Sequence, residues 1–251
     1  MGHFENTLTR NHTMQKLEIT PLSKIVERLK LTGKYSEIPQ QAVDFVKAHC
    51  ENAFSKIGYR FENIQNYAAI PEFMARYELA NVNAEQVETL SDDQPYKKVY
   101  EEHLKGKRFQ NPKGLLLFGA CGTGKTLAAR IIANRFNATL IDTYRIAFAY
   151  LRKDGNDWVA DFLETHSRSL LIIDDVGAEG DIRKFGNESP IGAIISTRAR
   201  HWELYGTPTI YTTNFADPEE LAALYGKDKR LLDRLSSYQV GVKFTGASLR
   251  Q

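Results

Sequence analysis

The sequence predicts a three-layer α/β fold, with a five-stranded parallel sheet between helices and a small helical region ahead of it. Three observations predict it. From Tyr96 onward short apolar runs alternate with helical periodicities, the pattern of a parallel sheet covered on both faces. One run, residues 114–118, leads into a glycine-rich turn and then a helix. Another, Leu170-Leu171-Ile172-Ile173, is apolar throughout, as a strand buried on both faces must be, and ends in two adjacent carboxylates.

The elements follow in order. Thr20 suits an N-cap and Pro21 a first helical position; Leu22, Ile25, Val26 and Leu29 recur at helical spacing, and Gly33 closes the helix. Ile38-Pro39 opens a second helix, with Ala42, Val43, Phe45, Val46, Cys50 and Ala53 mostly on one side. Ile70-Pro71 opens a third, carrying Phe73, Met74 and Tyr77, and a short helix is expected over 84–90. These faces either dock on the rest of the chain or grip a partner protein. The polar break Ser91-Asp92-Asp93-Gln94-Pro95 divides the chain into a helical N-terminal region and linker, 1–95, and an α/β region, 96–251. In the second region strands are expected over 114–118, 139–142, 170–174, 209–213 and 239–244. Helices are expected over 125–136, 144–151, 158–166, 191–204, 218–224 and 227–235.

Gly119 to Thr126 reads GACGTGKT, which fits G-x-x-x-x-G-K-[ST]. Behind a strand and ahead of a helix, this is a phosphate-binding P-loop. Its glycines let successive backbone N–H groups point into one hollow, and the helix presents its positive end to the same place. The loop residues Gly119, Ala120, Cys121, Gly122, Thr123, Gly124, Lys125 and Thr126, with Leu127 beyond them, form the expected ATP site. Lys125 would reach the β- and γ-phosphates and Thr126 would ligate Mg2+.

Three further runs supply partners for that loop. Asp174 and Asp175 close the 170–174 strand at the edge where ligands of open parallel sheets bind, a Walker B element. Asp174 would hold Mg2+ through water, and Asp175 would orient the water that attacks the γ-phosphate. Asn214 follows the strand Thr209-Ile210-Tyr211-Thr212-Thr213. An Asn after a strand is often only a turn, but an amide there can bond the γ-phosphate or the attacking water without cancelling the metal's charge. In Lys229-Arg230-Leu231-Leu232-Asp233-Arg234-Leu235 the leucines share one helix face and Arg234 lies on another. Most such arginines are solvated; one at a subunit boundary can serve as a finger on a neighbour's γ-phosphate.

Together GACGTGKT, LLIIDDVGAEG, PTIYTTN and LLDRL resemble the AAA+ ATPases, and within them the DnaC/DnaI helicase-loader group and its relative IstB. The segment Tyr59-Arg60-Phe61-Glu62-Asn63-Ile64 and the ending Gly246-Ala247-Ser248-Leu249-Arg250 resemble that group as well, so the likeness runs from about residue 59 to 250. It implies a P-loop NTPase fold of AAA+ type, with ATP and Mg2+ as ligands and slow or partner-stimulated ATP hydrolysis. It also implies self-association that completes each ATP site in trans. Residue by residue, it makes Lys125 and Thr126 the phosphate and metal contacts, Asp174 a metal ligand and Asp175 the stand-in for the usual catalytic Glu. Asn214 becomes sensor 1, Arg234 the arginine finger and Arg250 a terminal nucleotide-sensing residue. The implied function is loading of a replicative helicase onto single-stranded DNA; the alternative is an IstB-like transposition helper with a transposase as partner. A small-molecule P-loop kinase or nucleotide switch would need neither Asn214 nor Arg234. Two departures stand out: Asp-Asp replaces the common Asp-Glu, and residues 73–113 exceed the group's usual linker, with no role assigned. No room follows Arg234 for the four-helix lid of larger AAA+ proteins.

The chain has 251 residues, 42% of them hydrophobic, and a net charge of +2, so bulk charge does not mark a nucleic-acid binder. Local candidates for DNA contact are Arg183 and Lys184, Arg198 and Arg200, and the stretch Lys97, Lys98, Lys105, Lys107 and Arg108. Two cysteines, Cys50 and Cys121, lack motif spacing and point to a reducing compartment. With no apolar run of membrane length and no signal-like opening, a cytoplasmic location is expected. The first thirteen residues are polar, and Met14 is an alternative start.

Overall fold

The computed structural model describes residues 35–56, 62–82, 92, 96–152, 154–180, 189–225 and 229–248. The expected helices over 20–33 and 84–90 lie outside the described residues, as do Tyr59, Arg60, Phe61, Arg183, Lys184 and Arg250.

The sheet is ordered β1-β6-β2-β5-β4-β3. Its strands are β1 (Ile64–Gln65), β2 (Gly114–Gly119), β3 (Thr139–Asp142), β4 (Leu171–Val176), β5 (Thr209–Thr213) and β6 (Gln239–Phe244). The last five pair in parallel, as expected. The sixth, β1, is an addition to the expected five and pairs antiparallel with β6, Ile64 opposite Phe244. Two residues are too few to show alternation. Asn63 and Asn66 hold β1 in place: the Thr245 N–H donates to the Asn63 carbonyl at 2.8 Å, and Asn66 Nδ2 donates to the Gly241 carbonyl at 2.9 Å.

Successive strand residues point to opposite faces, and each face is covered. Leu115, Leu117, Ile172, Ile210 and Val242 pack with α1 (Gln40–Ser55), α2 (Ala69–Ala80), α3 (Lys97–Leu104) and α4 (Lys125–Phe136). Leu116, Leu171, Ile173 and Tyr211 pack with α5 (Thr143–Tyr150), α6 (Gly155–Thr165), α7 (Pro190–Tyr205), α8 (Pro218–Leu224) and α9 (Lys229–Tyr238). Each fully buried Leu or Ile contributes about 1.5–3 kcal/mol.

The residues from Tyr35 onward form one compact unit, and the expected boundary at residue 95 falls inside it. Helices α1 and α2 place Val43, Phe54, Met74 and Leu79 in the same core as Leu115 and Leu117. Arg135, near the end of α4, bonds Glu78 of α2, tying the P-loop helix to this layer. Helix α3 was not expected. Its sequence KKVYEEHL is mostly charged and buries only Val99 and Tyr100, too little for a periodic signal.

Candidate nucleotide site

The P-loop is shaped by its own backbone. Gly119, Gly122 and Gly124 have φ of 127°, 81° and 100°, a region that disfavours any β-carbon. At Gly119 space forbids one as well, since a Cβ would stand 2.1 Å from the Phe244 carbonyl oxygen. Gly124 ends the loop, and Lys125 opens α4. Lys125 is 4% exposed; its Nζ donates to the carbonyls of Gly119 at 2.8 Å and Ala120 at 2.7 Å. Thr123 Oγ1 donates to the Ala120 carbonyl at 2.9 Å. The ammonium is therefore held inside the ring of the loop, where a bound phosphate can exchange for carbonyl oxygens.

Strand β4 runs through both acids, past the expected end at 174, and its register against β5 shifts between Ile173 and Val176. At that irregularity Asp175 adopts φ 57°, a left-handed conformation that Asp tolerates better than most residues. Hydroxyls hold it there. Thr143 Oγ1 donates to the Asp175 carbonyl at 2.8 Å, and Thr212 Oγ1 accepts the Asp175 N–H at 2.9 Å. Thr212 also donates to Asp174 Oδ1 at 2.5 Å, and Thr126 Oγ1 donates to the same oxygen at 3.0 Å. Asn214 Nδ2 donates to Asp175 Oδ1 at 3.3 Å.

These elements enclose a cleft of ≈ 340 Å³. Cys121, Gly122, Gly124, Lys125 and Thr126 line one side, continued along α4 by Leu127 and Arg130; Asp175 and Asn214 stand opposite. Residues 115–225 match the family model described as "ATPase family associated with various cellular activities (AAA)". Over that stretch the chain is similar to an AAA domain. The 26S proteasome regulatory subunit 4 homolog of Schizosaccharomyces pombe is 35% identical over 86 residues, 29% of this chain and 17% of that protein. The chain thus spans about one sixth of the length of the curated relatives it matches. Among solved structures, that of DnaI has a TM-score of 0.44 at 22% identity, covering 71% of this chain and 93% of that one. That of the DnaC helicase loader has a TM-score of 0.42 at 21% identity, covering 67% and 98%.

Within the matched stretch the expected P-loop, Asp175 and Asn214 converge on one cleft. Arg234 does not line that cleft. It lies half-buried on α9, its Nη1 donating to Ser196 Oγ of α7 at 2.7 Å. Gly119, Ala120 and Thr123 frame the loop through their carbonyls and hydroxyl without lining the cleft.

The donor set suits Mg2+. The Thr126 hydroxyl would ligate the ion directly, and its 3.0 Å bond to Asp174 places that carboxylate where it would reach the ion through water. No cluster of three or more His, Cys, Asp or Glu ligands occurs among the described residues. Mg2+ needs none, because phosphates and waters complete its shell.

One expectation is overturned. Arg198, a candidate DNA contact, is 1% exposed. Its guanidinium donates to Thr209 Oγ1 at 2.7 Å and to the carbonyls of Pro208 at 2.9 Å, Ser169 at 3.1 Å and His166. It knits α7 to β5 and to the turn before β4 and is out of reach of any ligand. Periodicity could have placed it inward, two turns from Ile191 and one from Ile194 and Ile195. Arg200 of the same helix is exposed, as are Lys98, Lys105, Lys107 and Arg108.

Four residues of the site were not singled out from sequence. Arg130 follows Thr126 by one helical turn, a spacing that the P-loop alone makes readable. Thr212 lies in the sensor strand, but its link to both acids depends on the β4 register. Thr143 and Tyr225 reach the site from helices distant in sequence. The Tyr225 hydroxyl donates to Glu179, and its pKa is raised, first by burial and then by that carboxylate.

Proposed function

We propose that this chain binds ATP with Mg2+ in the AAA cleft, hydrolyses it, and acts as a DnaC/DnaI-like loader of a replicative helicase onto single-stranded DNA. One observation carries the nucleotide part: two adjacent carboxylates are held differently beside one P-loop. Asp174 is fixed by two hydroxyls next to Thr126, whereas Asp175 is turned into the cleft toward Asn214.

The residues divide the work accordingly. The loop N–H groups and Lys125 neutralise the phosphate oxygens. Thr126 and Asp174 would hold Mg2+, which supplies charge neutralisation at the β- and γ-phosphates. Asp175 accepts a hydrogen bond from the attacking water and orients it in line. Asn214 fixes the Asp175 carboxylate, and its amide can turn toward the γ-phosphate as charge develops. Arg234, on an outer helix, completes the site of a neighbouring copy.

Support for single-stranded DNA comes from α5. Phe148 is 72% and Tyr144 51% exposed, beside exposed Arg145. Aromatic rings with nearby cations are the means by which single strands are held without sequence preference. This helix begins at Thr143, which bonds the Asp175 carbonyl, so a strand on α5 would lie one contact from the hydrolytic acid.

The test is binding of a fluorescent ATP analogue with Mg2+, then ATPase activity with and without single-stranded DNA, for wild type and Lys125→Ala. Binding by wild type, a loss of tenfold or more in the variant (about 1.4 kcal/mol or more) and stimulation by single strands are expected. No analogue uptake by wild type would refute the reading. Stimulation by duplex DNA alone, without co-sedimentation with a replicative helicase, would favour the transposition-helper alternative.

A further inference from the structure

Past its register shift β4 keeps one ladder pair, Val176 with Thr213, and then leaves the sheet through a turn. Asp175, Gly177 and Gly180 have φ of 57°, 95° and 75°. Backbone of this kind persists only when its surroundings over-determine it. The Ala178 N–H closes the turn on the Asp175 carbonyl at 3.0 Å. Beyond it stands Glu179, 7% exposed. One carboxylate oxygen accepts the Gly177 N–H at 2.9 Å, and the other accepts the Tyr225 hydroxyl at 2.5 Å.

A carboxylate in this position is costly to desolvate, and Glu179 enters no ion pair among the described residues. Two neutral donors offset that cost, one from each of two segments. Gly177 belongs to the turn that carries Asp175. Tyr225 caps α8, which follows Asn214. The two segments also touch directly: a Cβ on Gly177 would stand 2.3 Å from the Phe215 ring, and Thr213 Oγ1 donates to the Val176 carbonyl at 2.7 Å. Tyr225 in turn lies against Gly192 of α7, where a Cβ would meet it at 3.4 Å. Among the described residues, Glu179 is thus the one buried acid whose bonds span the turn of Asp175 and the helix after Asn214.

We propose that Glu179 is a positioning residue for ATP hydrolysis: through Gly177 and Tyr225 it holds the Asp175 carboxylate against the Asn214 amide, in the arrangement that orients the attacking water. This rests on the ATPase reading above. Glu179 does not line the cleft, so its effect falls on turnover and not on binding.

The experiment is steady-state ATP hydrolysis by the full chain with Mg2+, beside binding of the fluorescent analogue. In Glu179→Ala, kcat is expected to fall about tenfold, with KM and analogue affinity within about twofold of wild type. Glu179→Gln retains both bonds, its amide oxygen accepting from Gly177 and its NH2 donating to the Tyr225 oxygen. It is expected to keep about half of the wild-type kcat. Tyr225→Phe breaks one bond and falls between the two. A Glu179→Ala kcat equal to wild type, or a loss confined to KM and affinity, overturns the proposal and leaves the ATPase reading intact. No hydrolysis by wild type overturns both. If Glu179→Ala does not fold, the Gln and Phe variants decide: a Tyr225→Phe kcat equal to wild type, or a Glu179→Gln kcat as low as Tyr225→Phe, overturns it.

Discussion

Replacing Thr212 by Val tests how the two acids are held. The side chain is fully buried, and Val matches its shape, so packing is preserved and the hydroxyl alone is lost. Two bonds go with it. Asp174 loses a donor at 2.5 Å, a bond to a charged group contributing about 1.5–3 kcal/mol. The Asp175 N–H loses its acceptor at 2.9 Å and is left unsatisfied, at a further cost of about 1–3 kcal/mol. Together these predict a destabilisation of about 2.5–6 kcal/mol. At roughly 2–4 °C per kcal/mol for a chain of this size, the melting temperature should fall by about 10 °C. Differential scanning calorimetry measures it. Thr212→Ser keeps both bonds and loses one methyl, so its loss should stay near 1 kcal/mol. If Thr212→Val melts within about 2 °C of wild type, or no lower than Thr212→Ser, the hydroxyl does not bridge the acids and the site geometry argued above is wrong.

Three more outcomes follow from the same contacts. Arg198→Met strands the carbonyls of Pro208, Ser169 and His166 and should cost about 3–5 kcal/mol in denaturant unfolding while leaving DNA affinity unchanged; a stable variant with weakened DNA binding would return Arg198 to the surface. Arg234→Ala should retain analogue binding and lose most turnover at concentrations where the protein self-associates; unchanged turnover in a strictly monomeric protein would exclude a site completed in trans. His166 and His201 are held below their usual 6.5, by burial first and by the Arg198 charge second. The unfolded chain then binds more protons just below pH 6.5. Stability is therefore full above that pH and falls as pH drops through the lowered values. A melting temperature flat between about pH 7 and pH 5.5 would contradict this.

What the sequence made legible was local chemistry repeated in order. GACGTGKT names its own turn, because only glycines fit its φ values, and the flanking Leu115-Leu116-Leu117 and Ala128-Ala129 say which element precedes and which follows. Asp174, Asp175 and Asn214 are legible because each closes a strand-like run, and strand ends of a parallel sheet share one edge. The contacts between runs were not legible. Whether Thr212 faces Asp174 or the opposite layer depends on a one-residue register, and β4 shifts register at that point. Arg198 reads as a surface cation because a charged residue on a helix usually is one; four acceptors from two separate segments had to assemble before its burial became tolerable. Glu179 and Tyr225 are 46 residues apart, and no periodicity joins them.

The Asp-Asp pair is best understood through its backbone. In a regular strand neighbouring side chains point to opposite faces, so Asp174 and Asp175 would serve opposite sides of the sheet. The left-handed residue at 175 breaks that rule and brings the Asp175 carboxylate to the cleft, beside the Thr126 that Asp174 bonds. Left-handed backbone favours a short polar side chain that can bond locally over a long one. Asp in place of Glu is then not merely a shorter reach toward the water. It is the residue type that this turn tolerates, and the reach it gives up is made good by the turn, which carries the carboxylate toward Asn214. The hydroxyls of Thr143 and Thr212 hold the peptide on either side of it. The geometry of the pair is thus set by neutral hydroxyls and an amide around a left-handed peptide.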